Sequence, residues 1–424
     1  MHKRLYLFLP IACLAADCGP GVVPSLSSEW RIDTNGDRDL IESHSTDMCV
    51  APNGTVYVVW IDDRDGGDDI WFNRKLPQGE RHEGWLRNAV KVNAFTESNV
   101  WAPKVACTDQ VVHVVWEDDR DGEVESHQIY YQKSVDLGDT WLEGDVLLEE
   151  DVDGRSNSFS PQIEARQNFV FVTWYDDLNG AYDILATASQ DSGISFSVPA
   201  RVDTDSPAGS AWSAHPRMAV TDDGQNVYIA WQDFRNGVGL ANAGSDIYFN
   251  RSTNRGLDYG ETDVRLDGGD GGAASAFAPR VAAAGAEVYT VWHDDRNGAN
   301  DVFMTYSSDG GITWSTDSRA DQADGAGFNE SLYPKVCIAN GRAHVIWHDN
   351  RTQGFYRVFH NAATAGGWAG ADYRLDEYKI DGQRGVWRFD GGAESVQLAC
   401  DGSNILAVWL DTAEDAADLG FNDV

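Results

Sequence analysis

A strand-like run that ends in tryptophan, followed two residues later by aspartate, occurs seven times in this 424-residue chain. The copies read VYVVWID at 56–62, VHVVWED at 112–118, VFVTWYD at 170–176, VYIAWQD at 227–233, VYTVWHD at 288–294, AHVIWHD at 343–349 and ILAVWLD at 405–411. Their tryptophans, Trp60, Trp116, Trp174, Trp231, Trp292, Trp347 and Trp409, stand 55 to 62 residues apart. A period in that range, filled with short strands and Gly-rich turns, points to a β-propeller with one small sheet per repeat. Aromatics at 11%, 42 Gly and only 12 Pro agree with an all-β chain rather than a disordered one.

Each unit parses into four strands with the period-two pattern that sheets require. Strand A follows a slot that holds proline in most units, as in APRVAA at 278–283, and strand B is the Trp run. Strand C is an alternating stretch such as DIWFNR at 69–74, and strand D carries an R-x-D pattern, as at Arg201–Asp203, Arg265–Asp267 and Arg374–Asp376. The last unit stops at strand C, DLGFNDV at 418–424, while Trp30-Arg31-Ile32-Asp33 supplies a D-like strand at the other end of the chain. An N-terminal strand completing the last sheet would close the ring and remove its open edges. The expectation is therefore a seven-bladed propeller of four-stranded antiparallel blades over residues 29–424.

Residues 1–20 read as a targeting segment, with His2-Lys3-Arg4 before an apolar run at Leu5–Ala16 that is too short to span a bilayer. Cleavage after Ala16 gives a soluble exported protein, and lipid attachment at Cys18 or Cys13 gives a lipoprotein, although Asp17 stands where a lipid-attachment signal wants a small residue. The expected location is secreted, periplasmic or cell-surface. Beyond this segment Cys49, Cys107, Cys337 and Cys400 fall two, four, three and four residues after the proline slot. Such scatter reads as small buried hydrophobes rather than a disulfide framework, even though export permits disulfides.

Two turn motifs recur. W-x-D-x-R follows strand B in five units, with Asp62/Arg64, Asp118/Arg120, Asp233/Arg235, Asp294/Arg296 and Asp349/Arg351, and a Gly stands two residues on in the first four; Leu178 and Ala413 replace the Arg elsewhere, but Asp176 and Asp411 remain. A side chain copied into every unit reads as a turn-former rather than a catalyst. S-x-D-x-G-x-T-W is complete at 134–141 and 307–314, close at 189–196, and decayed at 252–259 and 361–368. It describes a hairpin whose Asp holds the turn while Gly takes the unusual φ. These residues resemble the Asp-box, or BNR, repeat of the sialidase-like β-propellers, and the likeness covers nearly all of residues 29–424. The best-known sialidases have six blades, and in that family the Asp box lies on the face away from the active site. The resemblance thus implies architecture more than activity.

Sialidases carry three arginines that grip the sugar carboxylate, a tyrosine nucleophile with a glutamate partner, and an aspartate acid/base. The first of those arginines sits two residues before the strand A proline. Here that slot reads Ser45, Trp101, Phe159, Ala214, Phe277, Leu332 and Glu394, without an arginine. A cation does follow the proline slot in four units, at Lys104, Arg217, Arg280 and Lys335. Arg217, Arg280, Lys335, Tyr333 and nearby Glu330 form the candidate catalytic set of a divergent glycoside hydrolase; the alternative is that the cations neutralise acidic turns.

The connections from strand D to strand A differ in every unit, and variable loops on a rigid scaffold carry function. They place Trp101, Phe159, Trp212, Phe277 and Trp387 near the channel mouth among Ser, Asn and Gly, which suits sugar rings in a concave site. A formal charge of −36 argues against a nucleic-acid partner. DTNGDRD at 33–39 sets Asp33, Asn35, Asp37 and Asp39 at alternate positions, a spacing that suits calcium, although Arg38 stands where a calcium loop wants glycine. No cofactor is otherwise required. The favoured reading is a recognition protein for glycan or a surface protein, with a glycoside hydrolase as the second.

Overall fold

Runs rich in Val, Ile, Tyr, Phe and Trp, punctuated by turns that need Gly or Asx, become strands here and nothing else. The computed structural model describes residues 6–7, 30–31, 43–77, 85–120, 126–149, 155–205, 207–237, 244–323, 325–352, 355–375, 396–401 and 404–409. Six sheets follow one another in chain order, each starting with four consecutive antiparallel strands. Sheet 1 comprises Ser43–Val50, Val56–Asp62, Asp69–Lys75 and Val90–Lys91 as strands A to D. Sheet 6 gains a fifth strand, because Gly367–Trp368 and Tyr373–Arg374 both pair with Phe355–Thr364. Val396–Asp401 and Asn404–Trp409 then form a two-stranded pair beside strand A of sheet 6. Strands A stand next to one another in order and line one axial cavity, the arrangement of a β-propeller.

The period-two expectation holds only for strand A. Strands B and C are buried along nearly their whole length, as in Val112–Asp118 and Gln128–Ser134, because neighbouring sheets cover both faces. Trp60, Trp116, Trp174, Trp231, Trp292 and Trp347 are all 0% exposed, so replacing one by Ala would cost about 3–5 kcal/mol.

The W-x-D-x-R turn is a closed cluster. In sheet 4 the Trp231 indole donates to Asp233 Oδ2 (2.9 Å), the Arg235 backbone N–H and Nε donate to Oδ1, and Nη2 reaches Oδ2 at 2.7 Å. The guanidinium lies over Tyr248 of strand C, 4.2 Å from the ring centre, a cation–π contact that recurs as Arg64/Trp71, Arg120/Tyr130, Arg296/Phe303 and Arg351/Phe359. Sheet 3 has lost the arginine part of the cluster: Leu178 replaces the Arg, Leu185 stands at the strand C ring position, and the Trp174 indole N–H has no acceptor. Asp176 retains the turn N–H of Leu178 and the Oγ of Ser158 (2.8 Å), as Asp233 retains those of Arg235 and Ser213, and burial raises its pKa.

The S-x-D-x-G-x-T-W hairpins join neighbouring sheets. Ser307 Oγ donates to Asp309, the Gly311 N–H donates to Ser307 Oγ, and both the N–H and Oγ1 of Thr313 donate to Asp309. Trp314 then meets Phe249 of the preceding sheet edge-on, with ring centres 4.8 Å apart. A Cβ on Gly311, where φ is +80°, would sit 2.7 Å from that ring, so glycine is required.

The cysteine reading is corrected. Cys49 bonds to Cys107 and Cys337 to Cys400, with Cα atoms 6.1 and 5.7 Å apart. A bulge in strand A explains why the pairing was hidden. The register shift lies between His44 and Asp47 in sheet 1 and between Trp101 and Lys104 in sheet 2. Thr46 therefore occupies the proline slot of sheet 1, and His44, not Ser45, is the counterpart of Trp101. Cys49 then falls three residues after its slot and Cys107 four, the same offsets as Cys337 and Cys400. Each disulfide links adjacent A strands, one joining sheets 1 and 2, the other joining sheet 6 to the final pair. Trp30 and Arg31 pair here with Leu7 and Tyr6; residues 32–33 and 410–424, on which the expected closure also rests, lie outside the described residues.

Two outcomes follow. Reducing the disulfides, or replacing Cys49 and Cys107 together by Ser, should lower unfolding free energy by about 2–5 kcal/mol per bond in denaturant titrations. Leu178→Arg should stabilise sheet 3 by roughly 1 kcal/mol near neutral pH through a charge-assisted bond to Asp176. Because the folded-state pKa of Asp176 is raised, its ionisation costs stability as pH rises through that value; the gain from the new Arg should shrink in acid, and an equal gain at neutral and acidic pH would contradict this account.

Candidate functional site

Strand A delivers side chains to the axis through its bulge. The residue before the proline slot is left-handed in all six sheets: Ser45, Ala102, Ser160, His215, Ala278 and Tyr333 have φ between 47° and 55°. A bulge of this kind re-aims neighbouring side chains and raises local twist. The residue after the slot then faces the axial cavity, of ≈ 230 Å³, which Asp47, Lys104, Gln162, Arg217, Arg280 and Lys335 line, with Leu398 from the final pair. Thus the structure brings Arg217, Arg280 and Lys335 together from three consecutive sheets. Arg217 and Arg280 each donate Nη1 to the carbonyl of the preceding proline at 2.8 Å. Glu164, which shares the lining, accepts from Arg166 at 2.8 Å.

Above these cations lie three histidines that sequence reasoning passed over. Desolvation lowers the pKa of His215 to about 4, with Arg217 and Arg280 adding to the effect. His293 falls to about 3 through burial and then Arg280, and His348 to about 4 through burial and then Lys335. All three are neutral imidazoles at physiological pH, able to donate or accept one hydrogen bond from each ring nitrogen.

Tyr333 stands among these rings, half-buried. Its N–H donates to His293 Nδ1 (3.3 Å), and its ring meets His293 at 5.3 Å and His348 at 6.4 Å. Glu330 is committed elsewhere: its carboxylate accepts from Asn300 Nδ2 at 2.9 Å, and its N–H donates to Asn350. No hydrogen bond joins Tyr333 to Glu330, so the tyrosine lacks the glutamate partner and has the imidazoles of His293 and His348 as neighbours.

The aromatic residues expected at the mouth are in contact with one another. Trp101 packs on His127 (4.4 Å), His127 on Phe159 (4.9 Å), Phe159 on Tyr175 and Tyr182, Tyr182 on Trp212 (5.6 Å), and Trp212 on Phe234 (6.2 Å). Trp212 is 56% exposed, and the others are half-buried. Tyr175 also touches His215 (5.4 Å), and burial pushes its hydroxyl pKa to about 12. Phe277 belongs to a second group with His293, at 5.5 Å. Glu117, buried beside this row, accepts from the Ser160 N–H at 2.7 Å and lies 3.6 Å from His127 Nδ1. Glu117, Tyr175, His293 and His348 all occupy the middle position of W-x-D. That residue varies between units while its flanks do not, and this was the signal available in the sequence.

Trp387 and the calcium candidates Asp33, Asn35, Asp37 and Asp39 lie outside the described residues. A different carboxylate group, Asp183, Asp203 and Asp205, brings oxygens within 4.8 Å of one another. Arg201 sits among them, bonded to Asp205, to Asp203 at 2.8 Å and to Asp183 at 3.2 Å. A guanidinium fills that position, and the equivalent Arg265 bridges Asp246 and Asp267 in sheet 4.

No protein-family model matches the chain, and no curated protein matches it in sequence. Solved structures with a similar fold include the GH93 α-L-arabinofuranosidase of Fusarium graminearum with arabinobiose, at a TM-score of 0.48 and 12% identity over 76% of this chain and 93% of that one. A Hadza microbial sialidase gives 0.45 and 13% over 72% and 63%, and the Trypanosoma rangeli sialidase with the inhibitor DANA gives 0.45 and 10% over 85% and 58%.

The histidines set a pH dependence. Their folded-state pKa values lie below the ordinary imidazole value, so as neutral rings they favour folding fully above about pH 6.5 and lose that contribution as pH falls. Their ring signals in NMR should stay in the neutral position down to about pH 5. His293→Phe should move the acid-unfolding midpoint, followed by tryptophan fluorescence, to lower pH; an unchanged midpoint would remove His293 from the acid response.

Proposed function

We propose that the chain is an exported seven-bladed propeller of the sialidase-like type that recognises carbohydrate at its channel mouth. The observation that carries this reading is the half-exposed row of rings from Trp101 to Phe234, in which tyrosine hydroxyls and an imidazole are interleaved. Aromatic faces cover the apolar side of a sugar ring, while polar groups between them meet its hydroxyls. Two disulfides support an oxidising location outside the cytosol. Seven A strands along one cavity support seven blades, the last completed by Trp30–Asp33 once a leader is removed.

The second reading, a glycoside hydrolase, draws on the meeting of Arg217, Arg280 and Lys335 near Tyr333. The engagement of Glu330 with Asn300 weighs against it.

Binding to an array of plant, fungal and bacterial glycans, followed by calorimetry on the hits, tests the first reading. Trp212→Ala and Trp101→Ala should each weaken binding about tenfold, or roughly 1.4 kcal/mol, without loss of fold. Glycan binding insensitive to both changes would place the ligand elsewhere. Turnover of a glycoside that Tyr333→Phe abolishes would establish the hydrolase instead.

A further inference from the structure

We infer that the mouth takes an extended, uncharged polysaccharide chain along several consecutive sugar units, rather than a single terminal sugar. This rests on the carbohydrate reading above and adds the length and charge of the ligand.

Length comes from continuity. Five successive ring contacts of 4.4 to 6.2 Å carry the aromatic surface from Trp101 to Phe234, across sheets 2, 3 and 4, with Trp212 56% exposed near its far end. One sugar unit covers about one aromatic side chain, so a terminal-sugar site needs one or two such rings at a closed end. Here the row spans three sheets, and none of its rings lines the ≈ 230 Å³ axial cavity. Its rings are also tilted to one another: His127 meets Trp101 at 39° and Phe159 at 41°. Tyr182 meets Phe159 at 86° and Trp212 at 62°, and Trp212 meets Phe234 at 77°. Neighbouring platforms therefore present different planes, which suits a chain whose successive units turn about their linkages.

Charge comes from what borders the row. Glu117 is buried beneath Trp101, His127 and Phe159. Asp119 and Asp177 hold the two loops that enter the row by accepting from the N–H and side-chain amides of Asn99 and Asn157. In a chain of formal charge −36, these fixed carboxylates disfavour a polyanion along this path. Arg217, Arg280 and Lys335 line the cavity below the mouth instead.

The test is calorimetry of the full-length exported protein with neutral gluco-, xylo- and arabino-oligosaccharides from monosaccharide to hexasaccharide, with oligogalacturonides as charged counterparts. For the series that binds, affinity should rise about tenfold or more from disaccharide to pentasaccharide, and a charged chain of equal length should bind at least roughly tenfold more weakly. Trp212→Ala, an exposed position that leaves the core intact, should weaken hexasaccharide binding more than disaccharide binding. Equal affinity for monosaccharide and hexasaccharide would overturn the inference while leaving carbohydrate binding in place. Preference for oligogalacturonide would overturn the uncharged assignment. Absence of binding to every oligosaccharide and to its parent polysaccharide would overturn both.

Discussion

A buried aspartate that must be neutralised governs this fold. Asp62, Asp118, Asp233, Asp294 and Asp349 are 0 to 2% exposed at the end of strand B. An isolated carboxylate there would cost several kcal/mol, and only a full set of donors offsets it. The tryptophan indole, the turn N–H and the arginine supply that set, and the arginine is itself held flat against the next strand. The turn that leads into each mouth loop is thereby fixed in position and direction. In sheet 3 arginine and ring are both absent, and Asp176 keeps only the turn N–H and the strand A serine that Asp233 and Asp349 also have.

Most of the architecture was legible because it is repeated. The tryptophan spacing, the four-strand parsing and the D-strand position at Tyr373–Arg374 could all be read by laying one unit over another. What escaped depended on a single residue of register. The left-handed residue before the proline slot inserts a bulge, and in sheet 1 threonine replaces the proline that marks it. Setting the slot one residue late made the two cysteine pairs look unrelated. The mouth rings Trp101, Phe159, Trp212 and Phe277 stand out near the loops, yet their partners Tyr175 and His293 sit inside strand B, and His127 and Tyr182 sit just before strand C. His293, His348, Tyr175 and Glu117 went unnoticed because attention rested on the invariant Trp and Asp beside them. Whether Tyr333 could touch Glu330 was not decidable from spacing, since the side chain of Glu330 turns toward the neighbouring loop at Asn300.

Charge is divided unevenly over the molecule. The acidic turns around the sheets are largely consumed in local pairs, such as Arg296 with Asp294 and Asp317, and Arg265 with Asp246 and Asp267. The axial cavity gathers cations from four sheets within an otherwise anionic body. Three neutral imidazoles separate those cations from the mouth. A ligand at the mouth therefore meets aromatic rings and the carboxylates that border them, Asp119 and Asp177, before it reaches the cations.

The bulge before the proline slot has a consequence for how such a molecule can change. At each of six equivalent positions the backbone is already left-handed, and the side chain meets the mouth-side residues of strand B, as Tyr333 meets His293 and His348 and as His215 meets Tyr175. Serine and alanine fill four of these positions, histidine and tyrosine the other two. They form a row of sockets, one per sheet, whose contents touch strand B only at its variable middle position. A chain of this kind can acquire a new specificity one sheet at a time, with the tryptophan core untouched.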